Sequence, residues 1–251
     1  MQENYKIEWQ STKAAIFRPN LNRLRAVKEI DFVDIDSLVG LTTQKTELLA
    51  NTKQFLDGFL ANHALLWGEM GSGKSSLCKA VFTKFFDEGL KVIEIAKDNL
   101  SHLPDIIDEI RELKEYKFII YIDDLSFSRG DDGYKYLKPL MEGSIEKPPV
   151  NALIYATSNL RHLVSEEMDD NFLHKKDSVS ERLSLSDRFG LTLSFYSSSQ
   201  KEYLDIVDSY FRDFKGDREL LHLEAVRFAM GRASRSGRVA RQFYHKFRDK
   251  F

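Results

Sequence analysis

The chain has 251 residues, and its 37 Lys and Arg against 39 Asp and Glu give a formal net charge of −2. Hydrophobic residues make up 42% and charged residues 30%, which excludes disordered and collagen-like classes and leaves room for a sizeable core. The near-neutral balance excludes a general coating of nucleic acid, and the single cysteine, Cys78, excludes an internal disulfide or an all-cysteine metal site.

The longest uninterrupted apolar runs have five residues, against about 20 for a membrane-spanning helix. The first ten residues carry no apolar leader core. A cytoplasmic globular protein without a membrane span is expected.

In chain order, residues 1–30 show no firm pattern despite Trp9 and Phe17 and are read as an N-terminal extension. Five short apolar runs follow, at 64–67, 91–95, 118–122, 152–156 and 191–195. Each has the length and the Ile, Val, Leu, Phe or Tyr content of a strand. Helix-capable stretches at 74–88 and 103–115, and a Gly/Pro-punctuated segment near 134–141, lie between the first four. This alternation predicts crossover units and a parallel sheet covered on both faces. The charged segment 165–183 is expected as an exposed loop or mobile helix. After the serine triplet 197–199, three stretches with helical spacing (200–214, 218–230 and 236–250) predict a small helical unit. The boundaries expected are 1–30, 31–197 and 198–251.

The strongest motif is Gly68-Glu69-Met70-Gly71-Ser72-Gly73-Lys74-Ser75, which fits G-x-x-x-x-G-K-[ST] between a strand and a helix. Its glycines let backbone N–H groups turn inward on phosphate oxygens, and the helix behind aims its positive end at the same anion. Lys74 has the reach for β- and γ-phosphates, and Ser75 can ligate Mg²⁺. A second motif is the strand 118–122 ending in Asp123-Asp124, two carboxylates that need a cation or partner. Asp123 would hold Mg²⁺ through water and Asp124 would orient or deprotonate an attacking water; the alternative is a strand-end turn or helix cap. A third is Thr157-Ser158-Asn159 after the fourth run. There Asn159 would hydrogen-bond a γ-phosphate and the water, or else form a simple Asn turn.

With these residues in place, the chain from Asp31 onward resembles an AAA+ ATPase. Gly68–Ser75 matches its Walker A motif, 119–124 resembles Walker B and Asn159 the sensor-1 position. Ser186-Asp187-Arg188-Phe189-Gly190 resembles the arginine-finger segment, and Arg238 the sensor-2 arginine of a helical lid. Leu38-Val39-Gly40 resembles the box that packs on adenine. More narrowly, NTKQF (51–55), DDLSF (123–127), YATSN (155–159), LSLSDRFG (183–190) and RSGRVARQF (235–243) resemble a bacterial AAA+ family catalogued as a domain of unknown function.

The resemblance implies a P-loop three-layer α/β sandwich with a five-stranded parallel sheet and a small C-terminal helical lid. It implies ATP and Mg²⁺ as ligands. Val39, Gly40, Gly68, Glu69, Met70, Gly71, Ser72, Gly73, Lys74, Ser75, Ser76 and Arg238 fall on the nucleotide, and Ser75 and Asp123 on the metal. Lys74, Asp124, Asn159 and Arg188 carry the chemistry. Arg188 would act in trans, so a homo-oligomer is implied; a salt bridge with Asp187 or another acid is the alternative for it, and a solvated helix face the alternative for Arg238.

Two departures bear on function. Walker B ends Asp-Asp where the AAA+ pattern has Asp-Glu, and the missing methylene shortens the base by roughly 1.5 Å. Hydrolysis is therefore less firmly implied than binding. The stretch 96–100 (AKDNL) lacks the aromatic and glycine of peptide-threading loops. From Ala225 to Phe251 there are eight Lys or Arg and one acid, Asp249; nucleotide and neighbour contacts with solvation are favoured over a nucleic-acid surface. Phe243, Tyr244 and Phe247 fit a helical core better than base-stacking platforms. The six histidines show no metal-ligand spacing. The expectation is an oligomeric ATPase acting on a macromolecular client. A slow ATP-dependent switch and a helicase-loader-like ATPase are the alternatives.

Overall fold

The computed structural model describes residues 6–128, 131–143, 145–161, 163 and 185–251. The charged segment 165–183, expected as a loop or mobile helix, lies outside the described residues, as does Ser184.

All five expected strands are present: β3 (Ala64–Gly68), β4 (Leu90–Glu94), β5 (Lys117–Ile122), β6 (Ala152–Ser158) and β7 (Leu191–Phe195). They pair in parallel in the order β4-β5-β6-β3-β7. The sheet has seven strands rather than five. A hairpin of β1 (Ala14–Arg18) and β2 (Arg23–Ala26) extends it, with β1 parallel to β4 and β2 antiparallel at the edge. This hairpin was hidden because β2 reads RLRA and β1 is only five residues long, too brief for periodicity to register. Trp9 anchors the segment, meeting Phe118 edge-on with ring centroids 4.9 Å apart.

Helices cover both faces. On one lie α1 (Thr42–Leu56) and α2 (Lys74–Phe85); on the other, α3 (Leu103–Arg111) and α4 (Lys138–Glu142). Strand alternation divides the core. Phe118, Ile120 and Ile122 join the α3 side, and Ile119 and Tyr121 the α2 side. Helix α1 carries no clear apolar stripe because it spends buried positions on polar work. Asn51 donates to the Tyr155 hydroxyl at 2.9 Å, and Thr52 lies 2.8 Å from the same hydroxyl.

Beyond β7, α5 (Gln200–Tyr210), α6 (Arg218–Gly231) and α7 (Gly237–Phe247) form their own cluster around Tyr203, Phe211, Leu221 and Phe243. Ser199 and Glu202 cap α5 reciprocally, and Asp217 and Ser236 cap α6 and α7. No helix among the described residues is long and apolar enough to cross a membrane.

Candidate functional site

The loop 68–73 turns directly from β3 into α2. Gly68 sits at φ +137° with β7 so close that an added Cβ would lie 1.8 Å from the Phe195 carbonyl oxygen. Gly71, at φ +79°, faces the N-terminus of α7; a Cβ there would meet Ser236 Oγ at 2.9 Å and Arg238 Cβ at 3.3 Å. The phosphate-type loop therefore touches both the sheet and the helical unit. Ser197, in the connection between them, also hydrogen-bonds the Glu69 carboxylate.

Lys74 is buried, and its ammonium donates to Gly68 O at 2.7 Å, Glu69 O at 2.7 Å and Asn159 Oδ1 at 3.0 Å. Burial lowers its pKa, opposed by the charges of Asp124 and Asp123. Asp123 follows Ile119 and Tyr121 on the same strand face, so it projects toward α2. Its Oδ1 accepts from Ser75 Oγ at 2.7 Å, Tyr121 OH at 2.8 Å and Thr157 Oγ1 at 2.5 Å. Burial works against its charge, but the Thr157, Ser75 and Tyr121 hydroxyls outweigh it, and the carboxyl sits below its ordinary pKa. Asp124 stands in the left-handed region at φ +55°. Its N–H donates to Thr157 Oγ1 at 2.9 Å, and its carboxylate accepts from Asn159 Nδ2 at 2.7 Å. Asn159 thus joins Lys74 to Asp124.

These groups open onto a cavity of about 640 Å³, within the range of small-molecule sites. Leu38, Val39, Gly40 and Leu41 form one wall, residues 70–76 with Asp123, Asp124 and Asn159 the floor, and Ile206, Tyr210, Arg238 and Arg241 the side toward the helical unit. Gly68 and Glu69 contribute their carbonyls to Lys74 rather than a wall. Of the residues singled out from sequence, only Arg188 lies apart: its Nε pairs with the Glu142 carboxylate at the end of α4.

Sequence reasoning missed Tyr121, Thr157, Tyr210 and Arg241. Tyr121 carries a signal, since it lies two residues before Asp123 and shares its face; Arg241 lies one helical turn beyond Arg238. The rest of the basic C-terminal stretch is partly occupied within its own unit. Arg232 stacks 5.4 Å from the Phe228 ring, and Lys246 and Lys250 lie 5.2 and 5.3 Å from Phe247.

The donor set suits a magnesium nucleotide. A hydroxyl and a carboxylate, Ser75 and Asp123, stand side by side as hard oxygen ligands. The inward loop and Lys74 supply the complement to phosphate.

A family model described as "Protein of unknown function (DUF815)" matches residues 10–251. Among solved structures, the chain is similar to a Thermotoga maritima RuvB P216G mutant, at 18% identity and a TM-score of 0.58, over 86% of this chain and 65% of that one. It is also similar to the Aeropyrum pernix ORC1 protein in complex with DNA, at 16% identity and a TM-score of 0.58, over 81% of this chain and 58% of that one. The chain therefore spans less than two thirds of the length of either. The likeness shows a common α/β P-loop fold. No curated protein matches.

Proposed function

The chain belongs to the family described as Protein of unknown function (DUF815), and from that premise we propose that it is an ATP-binding AAA+ protein, a Mg²⁺-dependent ATPase that works as an oligomer on a macromolecular partner. The observation that carries the reading is the convergence of Lys74, Ser75, Asp123, Asp124 and Asn159 in one cavity that Arg238 of the helical unit also lines.

In this reading the N–H groups of residues 70–75 cradle the phosphates, and Lys74 exchanges its backbone carbonyl partners for β- and γ-oxygens. Ser75 and Asp123 hold Mg²⁺, which when bound neutralises phosphate charge. Asp124 takes the proton of the attacking water, and Asn159 holds both that carboxylate and the phosphate end in place. Leu38, Val39 and Gly40 lie against the base, opposite Ile206 and Tyr210. Arg238 enters from the helical unit, which then acts as a lid whose angle follows the nucleotide. Arg188 serves a neighbouring copy, leaving Glu142 when the two assemble; an arginine supplied this way contributes on the order of 10³–10⁵ in rate.

A second reading is a slowly hydrolysing switch. It is favoured by the short Asp124 side chain, whose carboxylate is engaged by Asn159. A nucleic-acid partner is less favoured, because Arg238 and Arg241 turn into the cavity and Arg232, Lys246 and Lys250 stack on phenylalanines.

The test is steady-state ATP hydrolysis with Mg²⁺ across a protein-concentration series, with wild type, Lys74→Ala and Arg188→Ala side by side. Specific activity that rises with concentration and is lost in both variants is expected. Undiminished turnover in Lys74→Ala overturns the proposal. Tight ATP binding with negligible turnover at every concentration selects the switch.

A further inference from the structure

Two hydroxyl groups to which the motifs assign no role bear on the paired carboxylates. Thr157 is 2% exposed, near the end of β6. Its Oγ1 donates to Asp123 Oδ1 at 2.5 Å and accepts the Asp124 N–H at 2.9 Å. Its own carbonyl accepts the next N–H along, from Leu125, at 2.7 Å. Thr157 therefore brackets Asp124 on both sides and grips Asp123 with the same hydroxyl. The second group is the Tyr121 hydroxyl, 2.8 Å from Asp123 Oδ1. Its ring is 3% exposed and packs edge-on against Phe82 of α2 at 5.3 Å.

The geometry explains why such supports are needed. Asp124 is a non-glycine residue at φ +55°, in the left-handed region that residues with a side chain adopt infrequently. It persists where its surroundings fix it. A threonine, stiff at χ1, offers a hydroxyl in one place. One hydroxyl has one proton and two lone pairs, so it can serve Asp123 as donor and Asp124 as acceptor at once.

We propose that Thr157 and Tyr121 are positioning residues for the carboxylate pair. Thr157 couples the orientation of Asp123, the metal side, to that of Asp124, the water side; Tyr121 fixes Asp123 alone. This rests on the reading of the site as a magnesium-dependent ATPase. It assigns different consequences to the two hydroxyls: losing Thr157 Oγ1 disturbs metal binding and the water-activating carboxylate together, while losing the Tyr121 hydroxyl disturbs metal binding only.

The experiment uses the full chain as Thr157→Val, Thr157→Ser and Tyr121→Phe. Equilibrium binding of a fluorescent non-hydrolysable ATP analogue is measured in EDTA and over a Mg²⁺ titration, followed by single-turnover hydrolysis of ATP at saturating Mg²⁺. Loss of a second-layer partner costs about 10- to 100-fold in metal affinity or activity. Both Thr157→Val and Tyr121→Phe are therefore expected to raise the Mg²⁺ midpoint about 10-fold, with analogue affinity in EDTA unchanged. At saturating Mg²⁺, Thr157→Val remains slow by about 10²-fold, as a misplaced base would be, while Tyr121→Phe recovers. Thr157→Ser, which keeps the hydroxyl, returns both quantities to within about three-fold of wild type.

A Thr157→Val protein that melts lower yet binds Mg²⁺ and turns over like wild type overturns the proposal, because a purely structural role moves only stability. If Thr157→Val does not fold, an unchanged Mg²⁺ midpoint in Tyr121→Phe overturns it. A wild type that binds no nucleotide, or binds it with no Mg²⁺ dependence, refutes the ATPase reading instead.

Discussion

Gly68→Ala tests the join between strand and phosphate loop. An alanine Cβ at this position lies 1.8 Å from Phe195 O, 2.7 Å from Phe195 C and 2.9 Å from Phe195 N. Opening the oxygen contact to about 3 Å requires β3 and β7 to part by about 1.2 Å, and the obstacle is backbone rather than a side chain that can swing away. The parting breaks the bond from Glu69 N–H to the Phe195 carbonyl, now 3.0 Å, a loss of about 1 kcal/mol. The φ of +137° adds about 1–3 kcal/mol of strain for a residue with a side chain. A total of about 3 kcal/mol, within a range of about 2–4, is expected, toward the upper end for a single substitution. Gly89→Ala is the matched control, since φ is +94° there but nothing lies within 4 Å of an added Cβ; it should cost about 1–2 kcal/mol. Urea unfolding of both variants at pH 7.5 and 25 °C gives the two values. If Gly68→Ala falls within 1 kcal/mol of Gly89→Ala, the strand contact does not constrain the loop and the reasoning fails. If the large cost is found, thermal stabilisation by ATP should vanish in the same variant.

His63 gives a pH-dependent expectation. Its Nδ1 accepts the Ile154 N–H at 2.9 Å, and burial pushes its pKa from 6.5 down to about 4. The unfolded chain thus binds a proton that the folded chain refuses, so stability present above pH 6.5 is lost as pH falls toward 4. With those two values the loss is about 2 kcal/mol at pH 5 and about 3 at pH 4. His63→Asn, which keeps an acceptor without a titrating ring, should show correspondingly less acid destabilisation in parallel urea titrations; identical slopes for the two proteins refute it. Arg188→Ala should reduce stability by no more than about 1 kcal/mol, because its pair with Glu142 is only partly shielded. A much larger fall in melting temperature would make that ion pair structural and explain any lost activity without a second copy.

The parallel core was legible because each strand is a short apolar run bounded by turns, and the phosphate loop because its spacing is fixed by backbone geometry. Other elements left no such trace. Helix α1 is written TTQKTELLANTKQFL, and its buried Asn51 and Thr52 interrupt the apolar spacing that marks a helix, because the Tyr155 hydroxyl needs partners there. The hairpin β1–β2 depends on β4, which lies over seventy residues further along the chain, so no local pattern announces it. In the site, Lys74, Asp123, Asp124 and Asn159 were readable by type and position. Thr157 was not, since its role follows from one hydroxyl meeting two residues of another strand. The left-handed turn at Asp124 was likewise unreadable, being a property of the backbone rather than of an aspartate in sequence.

The edge strand has a consequence for solubility. β4 reads LKVIE, with Leu90, Val92 and Ile93 buried, and without the hairpin its open side would present unpaired N–H and C=O groups beside an apolar stretch, the arrangement that invites strand-to-strand association. The chain closes that side with β1 and ends the sheet on β2, a strand of four residues in which Arg23 and Arg25 flank the buried Leu24. Short length and paired positive charge make β2 a poor template for a further strand. The hairpin of β1 and β2 thus acts as a guard rail for the sheet, and a version of the protein trimmed to begin after residue 30 would keep every group that lines the cavity yet be prone to clump.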